Sequence, residues 1–268
     1  MQGQQIKEKV KERYGKIALT GNSDCSCSCC APEEKAAENG SSATQYATAV
    51  GYDSKDIGSI PEASVLGVGC GAPTKYADIR QREVVVDLGS GAGIDVFLSA
   101  YRVRKSGKVI GIDMTDKMLV KAKKNATCNG YTNVEFRRGD IEKRIPVEDN
   151  AADLVISNCV INLTTDKVAT FKEIYRILKN DGDSRMVISD LVTNIEIDKD
   201  AVDPEKWSSC IDGALTKQNY LQSIRKAGFK NVEVLDEKIY MEEEQGRGEN
   251  DKNTTRKISS LLVKAVKD

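Results

Sequence analysis

Two carboxylates flank a glycine turn in a pattern that can hold a nucleoside. The segment Val84-Val85-Val86-Asp87-Leu88-Gly89-Ser90-Gly91-Ala92-Gly93-Ile94-Asp95 reads as a buried strand ending at a carboxylate, then a tight turn, then the first turn of a helix. Glycines at such a turn let the backbone approach a ligand that a Cβ would strike, and they tolerate positive φ. The helix that follows points free N–H groups at the same place. About 20 residues further on, the strand Lys108-Val109-Ile110-Gly111-Ile112-Asp113 also ends in a carboxylate, where Rossmann-type sheets hold ribose hydroxyls. The dinucleotide fingerprint G-x-G-x-x-G needs glycine at position 94, where this chain has Ile94. Gly89, Gly91 and Gly93 form G-x-G-x-G instead, the spacing of S-adenosylmethionine (SAM) sites, which cradle no pyrophosphate.

Ligands of open α/β sheets sit beyond the carboxyl ends of the strands. On that rule Asp87, Gly89, Ser90, Gly91 and Gly93 border the methionine end of SAM. Asp113 chelates the ribose, Met114 covers one adenine face, Asp140 and the Ile141 backbone meet the adenine edge, and Ser157-Asn158 closes the pocket beneath the methyl.

Sulfur is the second chemical signal. The chain has eight cysteines and no histidine. In a reducing compartment these are thiols, available as soft-metal ligands or redox groups. Without imidazole, the commonest general base and transition-metal ligand are missing, so the chemistry either needs no base or works through sulfur.

The elements that must position these groups alternate strand and helix from residue 84 onward, the pattern of a parallel sheet. Strands are expected at 84–88, 108–113, 134–138, 152–158, 184–190, near 232–240 and at 259–266. Helices run through Phe97 and Tyr101, through Leu119, Ala122 and Ala126 behind a capping Thr115, through Phe171, Tyr175 and Leu178, and from Thr216 to Ala227. The expected architecture is α/β: a Rossmann-like, seven-stranded doubly wound sheet closed by a hairpin, the layout of class I SAM-dependent methyltransferases. Residues 1–60 form an amphipathic helix over 4–19, carrying Ile6, Val10 and Ile17, and a loop with Cys25, Cys27, Cys29 and Cys30; 21–45 read as loop. Residues 61–268 form the main domain, 191–215 an insertion after strand five, and the charged stretch 242–257 a solvated hairpin loop.

The 268 residues carry a net charge of −1, which gives no footprint for nucleic acid or a membrane surface. No apolar run approaches the roughly 18 residues of a membrane span, and no signal peptide opens the chain, so a cytoplasmic protein is expected.

Three cysteine-bearing segments make the reading more specific: Ile60-Pro61-Glu62-Ala63-Ser64-Val65-Leu66-Gly67-Val68-Gly69-Cys70-Gly71-Ala72-Pro73, Val155-Ile156-Ser157-Asn158-Cys159-Val160-Ile161-Asn162-Leu163, and Cys210-Ile211-Asp212-Gly213-Ala214-Leu215. With Gly111-Ile112-Asp113-Met114 and Asn133-Val134-Glu135-Phe136 they resemble the arsenite SAM methyltransferase family over about residues 45–230. The resemblance implies methylation of trivalent arsenic for detoxification, with arsenic held by Cys159 and Cys210. It implies that Cys70 joins the redox cycle and stands as a third candidate ligand. It also implies arsenite and methylated arsenicals as substrates, and thioredoxin or small thiols as reductant. Cys29 or Cys30 would supply a fourth thiol. The chain departs from the family at Lys179-Asn180-Asp181-Gly182-Asp183, where a Lys-Pro-Gly-Gly turn is usual, and by ending soon after the last strand, where longer members add a domain.

Two other readings compete. In one, a class I methyltransferase acts on an organic, quinone- or lipid-like acceptor and the cysteines are incidental. In the other, a non-catalytic thiolate protein senses or buffers arsenic. Cys128 reads as an ordinary helix residue. The Cys25–Cys30 cluster could also be a structural zinc site, although it lacks paired C-x₂-C spacing.

Overall fold

The computed structural model describes residues 2–20, 42–196, 204–245 and 254–268. The helices are α1 (Gln2–Thr20), α2 (Ser42–Ala49), α3 (Ser54–Gly58), α4 (Ile94–Val103), α5 (Asp116–Cys128), α6 (Lys167–Ile177), α7 (Pro204–Ser208) and α8 (Lys217–Lys226). The strands are β1 (Val84–Leu88), β2 (Lys108–Asp113), β3 (Val134–Arg138), β4 (Leu154–Asn158), β5 (Arg185–Thr193), β6 (Asn231–Gln245) and β7 (Thr254–Val266). They form one sheet in the order β3-β2-β1-β4-β5-β7-β6, parallel except for β7, which runs antiparallel to both neighbours. This is the expected doubly wound sheet with its closing hairpin.

Strand periodicity of two sends neighbouring residues to opposite faces. Val85, Val109, Leu154 and Ile156 pack under α4 and α5 with Phe97, Leu98 and Leu119. Val86, Ile110, Val155 and Met186 pack under α6 and α8 with Phe171, Ile174, Tyr220 and Ile224. Each fully buried Leu, Ile or Phe contributes roughly 1.5–3 kcal/mol. β1 lies between β2 and β4, so the chain leaves it in opposite directions and a crevice opens at its carboxyl end. Buried Arg185 on β5 pairs with Glu83 at 2.9 Å and ties the opposite end of the sheet.

Several boundaries differ from expectation. α2 begins at Ser42, inside the stretch read as loop, and Ala47, Tyr52 and Ile57 join the core beside α4. β6 and β7 extend into the charged stretch expected to be a loop, pairing Glu242 with Lys257 and Gln245 with Thr254. Opposite charges there face each other across the strands, as in the Lys257–Glu242 ion pair at 3.1 Å, which suits strand as well as solvent. β5 runs on to Thr193, into the predicted insertion, while β4 starts two residues late at Leu154. Thr115 occupies the N-cap of α5 without a side-chain capping bond. Cys128 is exposed at the end of that helix. Cys25, Cys27, Cys29 and Cys30 lie outside the described residues. Among the described residues, no helix is long and apolar enough to cross a membrane.

Candidate active site

The glycine turn sits at the crevice and is built around close contacts. Gly89, Gly91 and Gly93 have φ of +71, +52 and +103°. A Cβ on Gly89 would meet Val160 at 2.3 Å, and one on Gly93 would meet the Phe97 ring at 2.6 Å. The turn is held to β2 by bonds from Gly89 N and Ser90 N to Ile112 O, at 2.8 and 3.0 Å. Asp113 has a role that the sequence reading missed. Its carboxylate accepts Gly91 N at 2.9 Å and Thr115 N at 2.7 Å, so it fastens the turn as well as lining the crevice.

The crevice has two connected parts that share Val68, Gly69, Gly89, Gly91 and Asn158. The smaller, about 510 Å³, is lined by Asp87, Ser90 and Asp95. The larger, about 800 Å³, is lined by Asp113, Met114, Asp140, Ile141 and Cys159. Burial raises the pKa of Asp87 well above the carboxylate range, with Asp95 and Asp113 adding repulsion. Burial also pushes Asp95 up to about 6, although Tyr52 donates to it at 2.8 Å. Three carboxylates around one end suit a cationic group, and the buried Ser90 hydroxyl has no protein partner there. SAM carries an ammonium and a sulfonium and fits this set; a pyrophosphate does not. Asn158 connects the crevice to the next loop, donating to Tyr52 Oη at 2.9 Å and Gly71 O at 2.6 Å, and accepting Cys70 N at 3.0 Å.

α1 lies across the larger part. Lys7 pairs with Asp140 and Glu142, each at 2.8 Å, and Val10 and Tyr14 complete the lining. Burial works against the Lys7 charge, but its two carboxylate partners hold its pKa above the ordinary value. Asp140 therefore reaches the crevice already paired. The signal was present in the sequence: Lys7, Val10 and Tyr14 recur at helical spacing, on the face beside Ile6 and Ile17.

Beyond Asn158 the three thiols meet. Cys70, Cys159 and Cys210 are all buried, in one apolar cluster with Ile6, Leu163 and Ile211. Cys159 and Cys210 both have left-handed backbone, φ +58 and +69°. Such residues cost roughly 1–3 kcal/mol each and concentrate at functional sites. Cys210 Sγ donates to Cys159 O at 3.0 Å, and Cys159 N donates to Ser189 O at 2.7 Å. Hydrogen bonds with Cys210 and Cys70, and then burial, keep Cys159 a neutral thiol. Ligand atoms of Cys70, Cys159 and Asp190 lie within 4.8 Å of one another. Asp190 closes the strand expected over 184–190 and so carried the strand-end signal, although it was not singled out; β5 runs on past it to Thr193. Burial pushes it up to about 7 while Tyr220 donates to it at 3.1 Å.

The Cys210 segment is held by both earlier and later chain. Gly213 presses so near Asn162 O that a Cβ would sit 2.0 Å from it, and Trp207 Nε1 donates to Leu163 O at 3.2 Å. Arg256, on the extended part of β7, donates to Ile211 O at 3.0 Å.

The family model described as a methyltransferase domain matches residues 79–228, from just before β1 to just after α8. The chain belongs to the methyltransferase-domain family. This chain resembles the arsenite methyltransferase of Halobacterium salinarum, with 38% identity over 86% of the chain and 59% of the relative. It resembles that of Mus musculus with 35% identity over 60% of the chain and 44% of the relative. It thus spans about half the length of the curated relatives it matches. Among solved structures it is similar to an arsenic(III) SAM methyltransferase from Chlamydomonas reinhardtii, at TM-score 0.61 and 29% identity, covering 82% of this chain and 72% of that one. The YcgJ protein of Bacillus subtilis shares the fold at 17% identity and TM-score 0.55, over 72% of this chain and 95% of that one.

Proposed function

We propose that this methyltransferase transfers the methyl group of SAM to trivalent arsenic held by Cys159 and Cys210, with Cys70 as third thiol and electron donor. The observation that carries the reading is Cys159, on left-handed backbone in the lining of the carboxylate-bearing crevice, with Cys210 hydrogen-bonded to its carbonyl and Cys70 in the same buried cluster. Trivalent arsenic is soft and thiophilic, and thiolates suit it where carboxylates do not.

When bound, SAM supplies an electrophilic methyl on a sulfonium. Asp87, Ser90 and the glycine turn would hold its methionine end, Asp113 its ribose, and Met114, Asp140 and Ile141 its adenine, with Asn158 closing the pocket. Cys159 and Cys210 would hold the arsenic with its lone pair free, so the contribution of the protein would be mainly positioning. A lone pair has no proton to lose and needs no base, consistent with a chain that lacks histidine.

Transfer formally raises arsenic to the pentavalent state. Cys70 and Cys159 return two electrons and join as a disulfide, which thioredoxin or a small thiol clears by exchange. That cycle requires a reducing compartment, so the cytoplasm is the proposed location.

The deciding experiment incubates the protein with SAM, arsenite and a thiol reductant and separates the arsenic species. Methylated arsenicals are expected. Their absence, with methylation of a quinone or lipid acceptor instead, overturns the reading.

A further inference from the structure

Cys70 and Cys159 face different openings. Cys159 lines the large crevice with Asp113 and Met114, whereas Cys70 lines a separate cleft of about 390 Å³ that shares none of the crevice's lining residues. The floor of that cleft is polar. Cys70 Sγ meets Ser189 Oγ at 3.6 Å, Ser189 Oγ meets Ser260 Oγ at 3.4 Å, and Ser260 donates to Cys70 O at 2.6 Å. Gly71 beside it keeps this packing possible, because a Cβ there would lie 2.2 Å from Ser189 Oγ.

The rim carries two exposed cations, Lys75 and Lys238, and the carboxylate of Asp236. Lys238 pairs with Asp236 at 3.1 Å, and the Lys75 ammonium lies 6.0 Å from the Tyr76 ring centre. One positive charge is left over at the rim. Cys70 itself is only 4% exposed.

From these features we infer that the cleft is the entry route of the reductant, and that it takes a small thiol bearing a carboxylate. The inference rests on the redox cycle proposed above. A thiolate entering past Lys75 and Lys238 attacks Cys70 Sγ. The Cys70–Cys159 bond breaks, and Cys159 leaves as a thiolate that takes up a proton. A second thiolate attacks the outer sulfur of the mixed disulfide, releasing the oxidised small thiol and the Cys70 thiolate, which is protonated in turn. Two external thiols are oxidised and one internal disulfide is reduced. The arsenic side need not open, because attack comes from the cleft while the leaving sulfur faces the crevice. The sunken position of Cys70 admits a small molecule and holds a protein dithiol away.

The test uses the intact chain, oxidised by turnover without reductant, and follows reduction of the Cys70 disulfide by peptide mapping. With glutathione, the double variant Lys75→Glu/Lys238→Glu is expected to react about tenfold more slowly than the natural chain, the scale of electrostatic steering. With neutral 2-mercaptoethanol the two should react at equal rates. Equal slowing with both thiols, no slowing with either, or reduction by thioredoxin alone overturns the inference. In the reduced protein, Cys70 alkylation by anionic iodoacetate should fall in the double variant while alkylation by neutral iodoacetamide does not. Absence of any Cys70 disulfide after turnover would sink the redox cycle, and the alkylation contrast would still decide the cleft. No charge preference in alkylation overturns the entry route.

Discussion

The Cys210 thiol donates to the backbone carbonyl of Cys159, joining two left-handed residues 51 positions apart through a single bond. One end of that bond stands just past β4 and the other just past α7, so the two sulfurs share a place only because the fold delivers both segments to it. Either Cys159→Ser or Cys210→Ser replaces a soft ligand with a hard hydroxyl. Arsenite methylation should be lost in both variants, with SAM affinity by calorimetry within about twofold of the natural chain. Retained turnover in both would remove the thiolate site and bring the organic acceptor forward.

The neutral state of Cys159 has a consequence for pH. Arsenious acid exchanges hydroxide for thiol and releases water, so no net proton appears. A divalent metal must displace thiol protons, and its affinity climbs with pH. Between pH 6 and 8, arsenite affinity is expected to stay level while zinc or cadmium affinity rises at least tenfold. A steep arsenite profile would mean that the thiols bind as preformed thiolates.

Asp113→Ala removes the carboxylate proposed to hold the ribose and also frees Gly91 N and Thr115 N. Each charge-assisted bond lost to the ligand is worth on the order of 1.5–3 kcal/mol. SAM affinity should fall by at least tenfold, and unchanged affinity in calorimetry would refute the contact.

Lys7→Ala cuts the tie from α1 to Asp140 and Glu142. For a partly exposed pair, about 1 kcal/mol is the appropriate scale, or roughly fivefold in SAM dissociation constant. Lys7→Arg should recover most of it. Faster amide exchange along α1 in the Ala variant is the structural check, and unaltered exchange there would argue against the tie.

Asp190 gives a pH signature of stability. Its carboxyl titrates at about 7 in the folded chain because of burial, against about 4 when unfolded. The folded state therefore binds the extra proton in between, and stability falls as pH rises from about 4 to about 7. Asp190→Asn should reduce that slope in urea melts at pH 5 and 7.5, leaving the share contributed by buried Asp95, which titrates at about 6, and by Asp87. The buried Lys167, held down at about 8 by burial, titrates above this window. An equal slope in the variant would place the effect elsewhere.

The strand-ending carboxylates and the glycine turn were legible because they follow from local rules: period-two burial, then a turn that only glycine tolerates. The three thiols were legible as candidates through their flanking segments. Their meeting was expected only through the family resemblance; no local pattern requires it, because it depends on left-handed backbone at Cys159 and Cys210 and on Arg256 closing the insertion from a strand that looked like solvent loop. Lys7 and Tyr14 were missed for another reason. Their helix has an apolar stripe, but a stripe does not say which crevice it will cover. Asp190 was within reach of the strand-end rule, but its burial was not, because β5 continues to Thr193 and is buried along its whole length.

The same helix, α1, reaches one end of the crevice through Lys7, which pairs with Asp140, and packs against the thiol cluster through Tyr14. On the function proposed above, spent cofactor and arsenical would both lie behind this one helix. Replacing one between successive methylations would expose the other, and each opening would become a race between reclosure and escape. The ratio of mono- to multiply methylated product would then be set by the dwell time of α1, not by the chemical step.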